Sequence, residues 1–156
     1  GISRWPQYHF NMVRLGIGLY GFDGALEAQK DKGKGDGLKT VAVLKTTITQ
    51  IKHIYPNETV GYGRRGSLPN GGQIATVKIG YADGYLRAFS GKGTARVGGH
   101  IVPVIGRVSM DLVTLDLTGI PDIGEGDWVE IDYDMISTSA LTGLSQYELL
   151  TNLGCL

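Results

Sequence analysis

The sequence feature that most constrains the fold is an alternation of apolar and polar side chains in one long segment. Residues 38–54, LKTVAVLKTTITQIKHI, are rich in Val, Ile and Thr, and from Val43 they approximate a period of two. This period places successive side chains on opposite faces of a β-strand. The segment therefore predicts a long strand in a sheet that has one buried face.

Four further segments carry strand-like patterns, at residues 72–81, 94–106, 107–117 and 127–133. Gly98-Gly99 separates two apolar runs in the second of these, which is a hairpin signal. The chain has 25 glycines in 156 residues, more than twice the roughly 7% of ordinary proteins. They are dispersed, as tight turns require. We predict a mostly β fold of five or six strands, arranged as a barrel or a sandwich.

A short helix is predicted at the end of the chain. Ser145 lies three residues before Glu148 in LSQYELLTNLG, which is the spacing at which each side chain caps the other's backbone N–H. Gly154 follows as a stop signal. Earlier in the chain, residues 25–37 are polar and glycine-rich, which predicts a linker loop.

Charge and cysteine content exclude several functional classes. Fifteen basic residues balance fifteen acidic ones, so we expect neither a nucleic-acid nor a membrane partner. Cys155 is the only cysteine and cannot form an internal disulfide, which fits a reducing, cytoplasmic location. The three histidines and Cys155 lack zinc-ligand spacing, so we expect no metal site.

Tyr81 lies where the strand pattern of KIGYADGYLR meets a turn at Asp83-Gly84. On local grounds alone, a tyrosine in this position is most often a packing or interface residue. Asp83 is best explained as a cap of its own turn. The residues taken singly therefore do not identify a catalytic group.

Four sequence motifs, taken together and in order, carry a resemblance to a known family that no single residue carries. The segments NMVRLGIGLYG (11–21), VGYG (60–63), IGYADGY (79–85) and PVIGRVSMDL (103–112) together resemble the C-terminal part of the bacterial alanine racemases. The resemblance implies an enzyme that uses pyridoxal phosphate and acts on alanine for cell-wall synthesis. It also implies an N-terminal (β/α)₈ barrel followed by a mostly β domain, in a homodimer that packs head to tail.

The same resemblance implies a domain layout. Residues 1–22 correspond to the final segment of the cofactor-binding barrel, 23–37 to the linker, and 38–156 to the C-terminal β-barrel domain. No lysine here matches the one that bonds the cofactor, and the chain stops before the family's last strand and second active-site tyrosine. We therefore expect a fragment that is inactive by itself and works with the barrel domain.

Five positions match functional residues of the family. Tyr81 corresponds to one of two catalytic bases, and Met110 to the residue whose backbone N–H holds the substrate carboxylate. Arg14 corresponds to the arginine at the pyridine nitrogen of the cofactor. Gly16 and Ile17 correspond to backbone donors to its phosphate. Tyr62 and Arg87 receive no assignment, although both are candidates to line the path to the site.

Racemisation removes a hydrogen from one face of the α-carbon and returns one to the other face, so it needs two bases and an electron sink. A free phenol has a pKa near 10. A tyrosine base therefore needs cations or strong donors around it in a water-poor setting, such as the interface with another subunit's barrel.

Two alternatives remain open at this stage. The domain is also compatible with a racemase for serine, lysine or arginine, because a fold does not set its substrate. It is also compatible with a non-catalytic β-barrel interaction module. In that case Arg14 is a surface charge, Gly16 only permits a turn, and Met110 fills the core of a strand.

Overall fold

The structure is a computed structural model that describes residues 5–22 and 41–154. The chain divides into two compact units, Gly1–Ala42 and Val43–Leu156. The linker predicted at 23–37 lies outside the described residues.

The N-terminal segment, residues 5–22, contains two short 3₁₀ turns, Pro6–Tyr8 and Ile17–Tyr20. Within this segment, the apolar side chain of Ile17 is buried. Most of its other large apolar side chains are exposed, namely Trp5, Tyr8, Phe10, Met12, Val13, Leu15, Leu19 and Tyr20. The segment therefore presents an apolar surface.

A closed antiparallel barrel forms the second unit. The strands in its described part are β1 (Lys45–Ile54), β2 (Thr59–Val60), β3 (Gly66–Ser67), β4 (Gly72–Val77), β5 (Thr94–Val97), β6 (His100–Ile105), β7 (Val113–Asp116) and β8 (Trp128–Ile131). The barrel order is β1-β4-β7-β6-β5-β8, while β2 and β3 form a separate two-stranded sheet. The predicted mostly β barrel is confirmed, although β2 and β3 were not predicted from the sequence.

The long predicted strand corresponds to β1, which begins at Lys45; residues 41–44 before it are not in a strand, and residues 38–40 lie outside the described residues. Thr46 and Ile48 are buried, as alternation requires. The pairing of β1 with β4 then shifts between Ile48 and Gln50. Such a shift places an extra residue in one strand and interrupts the alternation.

The predicted hairpin lies between β5 and β6, where Val97 pairs with His100. Gly98 and Gly99 have φ angles of 55° and 84°. Two successive positive φ angles characterise the tight turn whose twist matches that of the flanking strands. Glycine is therefore required here by backbone geometry, and the prediction is confirmed.

Two helices follow β8, namely α1 (Met135–Thr142) and α2 (Gln146–Asn152). The predicted helix is α2, and its capping box is present: Ser145 Oγ accepts from the Glu148 N–H at 3.3 Å, and Glu148 Oε2 accepts from the Ser145 N–H at 2.9 Å. Hydrogen bonds from Ser145 hold the pKa of the Glu148 carboxyl below its ordinary value.

The sequence did not predict α1, because MISTSALT is rich in hydroxyl and β-branched residues that favour helices weakly. Asp134 starts this helix by accepting the Ser137 N–H at 2.8 Å. Neither α-helix in the described ranges has the length and apolar composition needed to cross a membrane.

Candidate active site

Tyr81 lies in a short turn, Gly80–Gly84, that follows β4 and is called here the tyrosine turn. Asp83 Oδ2 accepts from the Gly80 N–H at 2.9 Å, so Asp83 caps its own turn as the sequence predicts. The Tyr85 N–H donates to the Gly80 carbonyl at 3.0 Å and closes the turn. Local hydrogen bonds therefore fix the backbone on both sides of Tyr81.

Met110 lies in a loop, Ser109–Leu112, where the sequence predicted a strand. That prediction was wrong for residues 107–112, since β7 begins at Val113. Ser109 Oγ accepts from the Leu112 N–H at 3.0 Å, and the Ser109 N–H donates to the Leu112 carbonyl at 3.1 Å. The Ser109 hydroxyl thus accepts a backbone N–H that a neighbouring strand would otherwise pair, so this segment forms a loop. Met110 is 53% exposed, which excludes a role as core filler.

The tyrosine turn and the Met110 loop are joined by two backbone hydrogen bonds. The Tyr81 N–H donates to the Ser109 carbonyl and the Ala82 N–H to the Met110 carbonyl, both at 3.0 Å. Gly80 makes this approach possible, because a Cβ there would overlap the Met110 carbonyl. The Met110 N–H donates to no described residue, so it is free to bind an anionic group.

The end of α2 supports the other side of the tyrosine turn. Gly84 has a φ of 93°, and a Cβ at this position would overlap the Asn152 carbonyl. The Gly154 N–H donates to the Asp83 carbonyl at 3.4 Å. The Tyr133 hydroxyl donates to the Gly84 carbonyl at 3.2 Å, and burial raises the pKa of Tyr133 to about 12.

The side chains of Tyr81 and Tyr85 have opposite environments. Tyr81 is half-buried, and the Arg87 guanidinium carbon lies 4.6 Å from the centre of its ring. Tyr85 is fully buried and stacks on Phe89 with ring centres 4.4 Å apart. The Tyr85 hydroxyl has no hydrogen-bond partner, and burial is the main cause that raises its pKa. Of the two, only Tyr81 can face a ligand.

Sequence reasoning did not assign Arg87. Arg87 lies six positions after Tyr81, and no periodic pattern brings such a pair together across two irregular turns. The contact follows from the path of the chain between the tyrosine turn and the 3₁₀ turn Arg87–Phe89.

The other predicted site residues lie in the N-terminal segment. Arg14 and Gly16 are exposed, while Ile17 is buried at the start of a 3₁₀ turn. Neither the Arg14 guanidinium nor the Gly16 N–H bonds to a described residue. The structure therefore brings Tyr81 and Met110 together, and these three residues belong to the other unit. Across the two described stretches, no three potential metal ligands cluster.

The protein is therefore a small β-barrel domain in which a half-buried tyrosine, Tyr81, lies beside the unpaired backbone N–H of Met110. Residues 41–155 match the family described as alanine racemase, C-terminal domain. The chain belongs to the alanine racemase family.

Individual relatives agree with this assignment. Alanine racemase 1 of Clostridium acetobutylicum is 42% identical over 83% of this chain, and the alanine racemase of Rhodospirillum rubrum is 36% identical over 99%. The alanine racemase of Bartonella henselae, solved with covalently bound pyridoxal phosphate, superposes with a TM-score of 0.78 at 35% identity over 95% of this chain. The chain spans between 33% and 41% of the lengths of these relatives.

Proposed function

We propose that this chain is the C-terminal domain of a pyridoxal-phosphate-dependent alanine racemase that interconverts L- and D-alanine for cell-wall synthesis. In this proposal Tyr81 is one of the two bases and serves the active site of the partner subunit. The observation that carries it is the pairing of the tyrosine turn with the Met110 loop, which holds a candidate base next to an unpaired N–H.

Each of these two groups has a distinct chemical role. The Tyr81 oxygen accepts the α-hydrogen as a proton from one face of the amino acid, or returns a proton to that face. The Met110 N–H donates to the substrate carboxylate and so orients the α-carbon toward Tyr81. Pyridoxal phosphate, when bound, supplies the electron sink that makes this hydrogen acidic.

The N-terminal segment supplies donors of the kind the cofactor accepts. The exposed Arg14 guanidinium suits the pyridine nitrogen, and the Gly16 N–H suits a phosphate oxygen, since neither has a partner among the described residues. We assign the backbone of Ile17 to the phosphate as well. Residues 1–22 would then complete the cofactor-binding barrel, with residues 38–156 as the β domain.

Two observations support a larger assembly. The N-terminal segment exposes Trp5, Phe10 and Met12, and apolar surface of this kind marks a site that another protein surface covers. The chain also matches only part of the length of its relatives. We therefore propose the barrel domain of the same enzyme and a head-to-tail homodimer as the partners, in the cytoplasm.

The test compares two tyrosines in one turn region of the enzyme that contains this chain. Tyr81→Phe should lower kcat by about 10²- to 10⁴-fold, because it removes a base that transfers a proton. Tyr85→Phe deletes the same atom four residues away and should leave kcat unchanged, because the Tyr85 hydroxyl has no partner. Racemisation is followed by circular dichroism at fixed cofactor saturation.

The substrate is tested in the same assay with alanine, serine, lysine and arginine. Alanine should turn over fastest, and faster turnover of a basic amino acid would replace the proposed substrate. Full activity in Tyr81→Phe would refute the assignment of Tyr81 as a base. Absence of turnover with any amino acid in the unmodified enzyme would favour a non-catalytic interaction module.

A further inference from the structure

The Arg87 guanidinium lies over the ring of the candidate base. Its guanidinium carbon is 4.6 Å from the centre of the Tyr81 ring, within the distance at which a cation is attracted to an aromatic face. Arg87 forms no ion pair with a described residue, so no carboxylate among the described residues neutralises its charge. Its positive charge therefore acts on Tyr81.

The backbone of Arg87 is fixed to the segment that leads to Met110. The Arg87 carbonyl accepts from the Ser90 N–H at 3.0 Å and from the Ser90 hydroxyl at 2.6 Å. Ser90 Oγ in turn accepts from the Val108 N–H at 3.0 Å. Phe89, in the same 3₁₀ turn, is buried against Tyr85. The guanidinium is thus carried on a backbone that is tied to the Met110 side of the site.

We infer that Arg87 is a positioning residue for Tyr81, an inference that rests on the proposed function. The guanidinium holds the ring so that the phenolic oxygen keeps one direction, and its charge favours negative charge on that oxygen when a proton is transferred. The proton moves between the substrate α-carbon and the Tyr81 oxygen, and Arg87 neither gives nor takes one. A planar guanidinium stacks on a ring in a way that a lysine ammonium does not.

The experiment uses α-deuterated L-alanine and α-deuterated D-alanine with the enzyme that contains this chain. Each base removes the hydrogen of one enantiomer, so the primary isotope effect in each direction reports on one base. The ratio of kcat/KM for L-alanine to kcat/KM for D-alanine cannot report on a single base. This ratio must equal the equilibrium constant between the two enantiomers, which is one. Arg87→Met should lower kcat about tenfold with little change in KM, and should change the isotope effect in one direction only.

Two variants accompany Arg87→Met. Arg87→Lys should recover part of the lost kcat, because it restores the charge without the planar stack. Lys92 is exposed in the same loop, and its side chain forms no ion pair or ring contact with a described residue, so Lys92→Met should leave both isotope effects unchanged. Thermal unfolding of each variant verifies that the fold is retained.

The outcomes separate the two proposals. If Arg87→Met behaves like Lys92→Met while Tyr81→Phe is inactive, the role of Arg87 is refuted and that of Tyr81 stands. Equal changes of the isotope effect in both directions would also refute it, since they indicate a general structural loss. Full activity of Tyr81→Phe would remove the proposed function itself.

Discussion

The tyrosine turn and the N-terminal segment carry the two groups of proposed site residues, and they are built differently. Backbone hydrogen bonds to the Met110 loop, the Asp83 cap and the end of α2 hold the tyrosine turn. The described residues of the N-terminal segment form two short 3₁₀ turns, and most of their large apolar side chains are exposed.

This difference indicates which contacts position each group of site residues. Tyr81 and Met110 are fixed by contacts within the barrel, so their arrangement precedes any ligand. Arg14 and Gly16 lie in a segment whose large apolar side chains are mostly exposed. We therefore expect the rest of the enzyme to pack against this segment and to position both residues. Changes in the tyrosine turn should therefore alter both stability and catalysis, whereas changes in the N-terminal segment should alter cofactor binding alone.

The largest expected effect on unfolding comes from Gly80→Ala. The added Cβ would overlap the Met110 carbonyl, which is backbone and cannot rotate away. We expect the free energy of unfolding of this chain to fall by about 3 kcal/mol or more, measured by urea denaturation. The enzyme should lose activity as well, because Tyr81 and Met110 move apart.

Gly124→Ala is the matched control for Gly80→Ala. A Cβ at Gly124 meets only Asp127 Oδ2 at 3.9 Å, which is ordinary contact. Its unfolding free energy should change by less than about 0.5 kcal/mol. Equal stability of the two variants would show that close packing of the tyrosine turn on Met110 is not needed.

A smaller effect should follow from Ser145→Ala at the start of α2, the helix whose end contacts the tyrosine turn. Loss of an N-cap costs about 1 kcal/mol. The lowered pKa of Glu148 means that its part of the capping box is fully present above the ordinary carboxyl pKa and is lost as pH falls from there through the lowered pKa. The difference from the unmodified chain should therefore shrink in acid.

Denaturation of Ser145→Ala is compared with that of Ser67→Ala, since Ser67 is exposed and its side chain bonds to no described residue. Ser67→Ala should match the unmodified chain at every pH. If the loss of unfolding free energy in Ser145→Ala is the same at every pH, Glu148 takes no part in the cap.

The smallest effect on unfolding is expected for Arg14→Met, within about 0.5 kcal/mol, because Arg14 is exposed and unpaired. In the enzyme, the same change should weaken pyridoxal phosphate binding, measured by cofactor absorbance during titration. Arg65→Met, which removes an exposed arginine from the barrel unit, should leave that titration unchanged. A drop in barrel stability in Arg14→Met would contradict the separation of the two regions.

Patterns confined to neighbouring residues were predicted well. Alternation identified β1, two adjacent glycines identified the β5–β6 hairpin, and the Ser145 and Glu148 spacing identified α2. The errors lie where a side chain competes with the expected backbone pairing. Ser109 turned a predicted strand into a loop, and Asp134 started a helix in a segment of weak helix formers.

The sequence by itself determined the family, the mostly β architecture and the candidate residues, because strand patterns, turn glycines and motifs are local. Only the tertiary structure decided that Tyr81 is half-buried while Tyr85 is fully buried, since the two tyrosines lie four positions apart in one short segment. It also decided that Met110 lies beside Tyr81 and that Arg87 covers the ring. These outcomes depend on contacts between distant segments, where close backbone approach at Gly80 selects one arrangement, and no local pattern encodes such contacts.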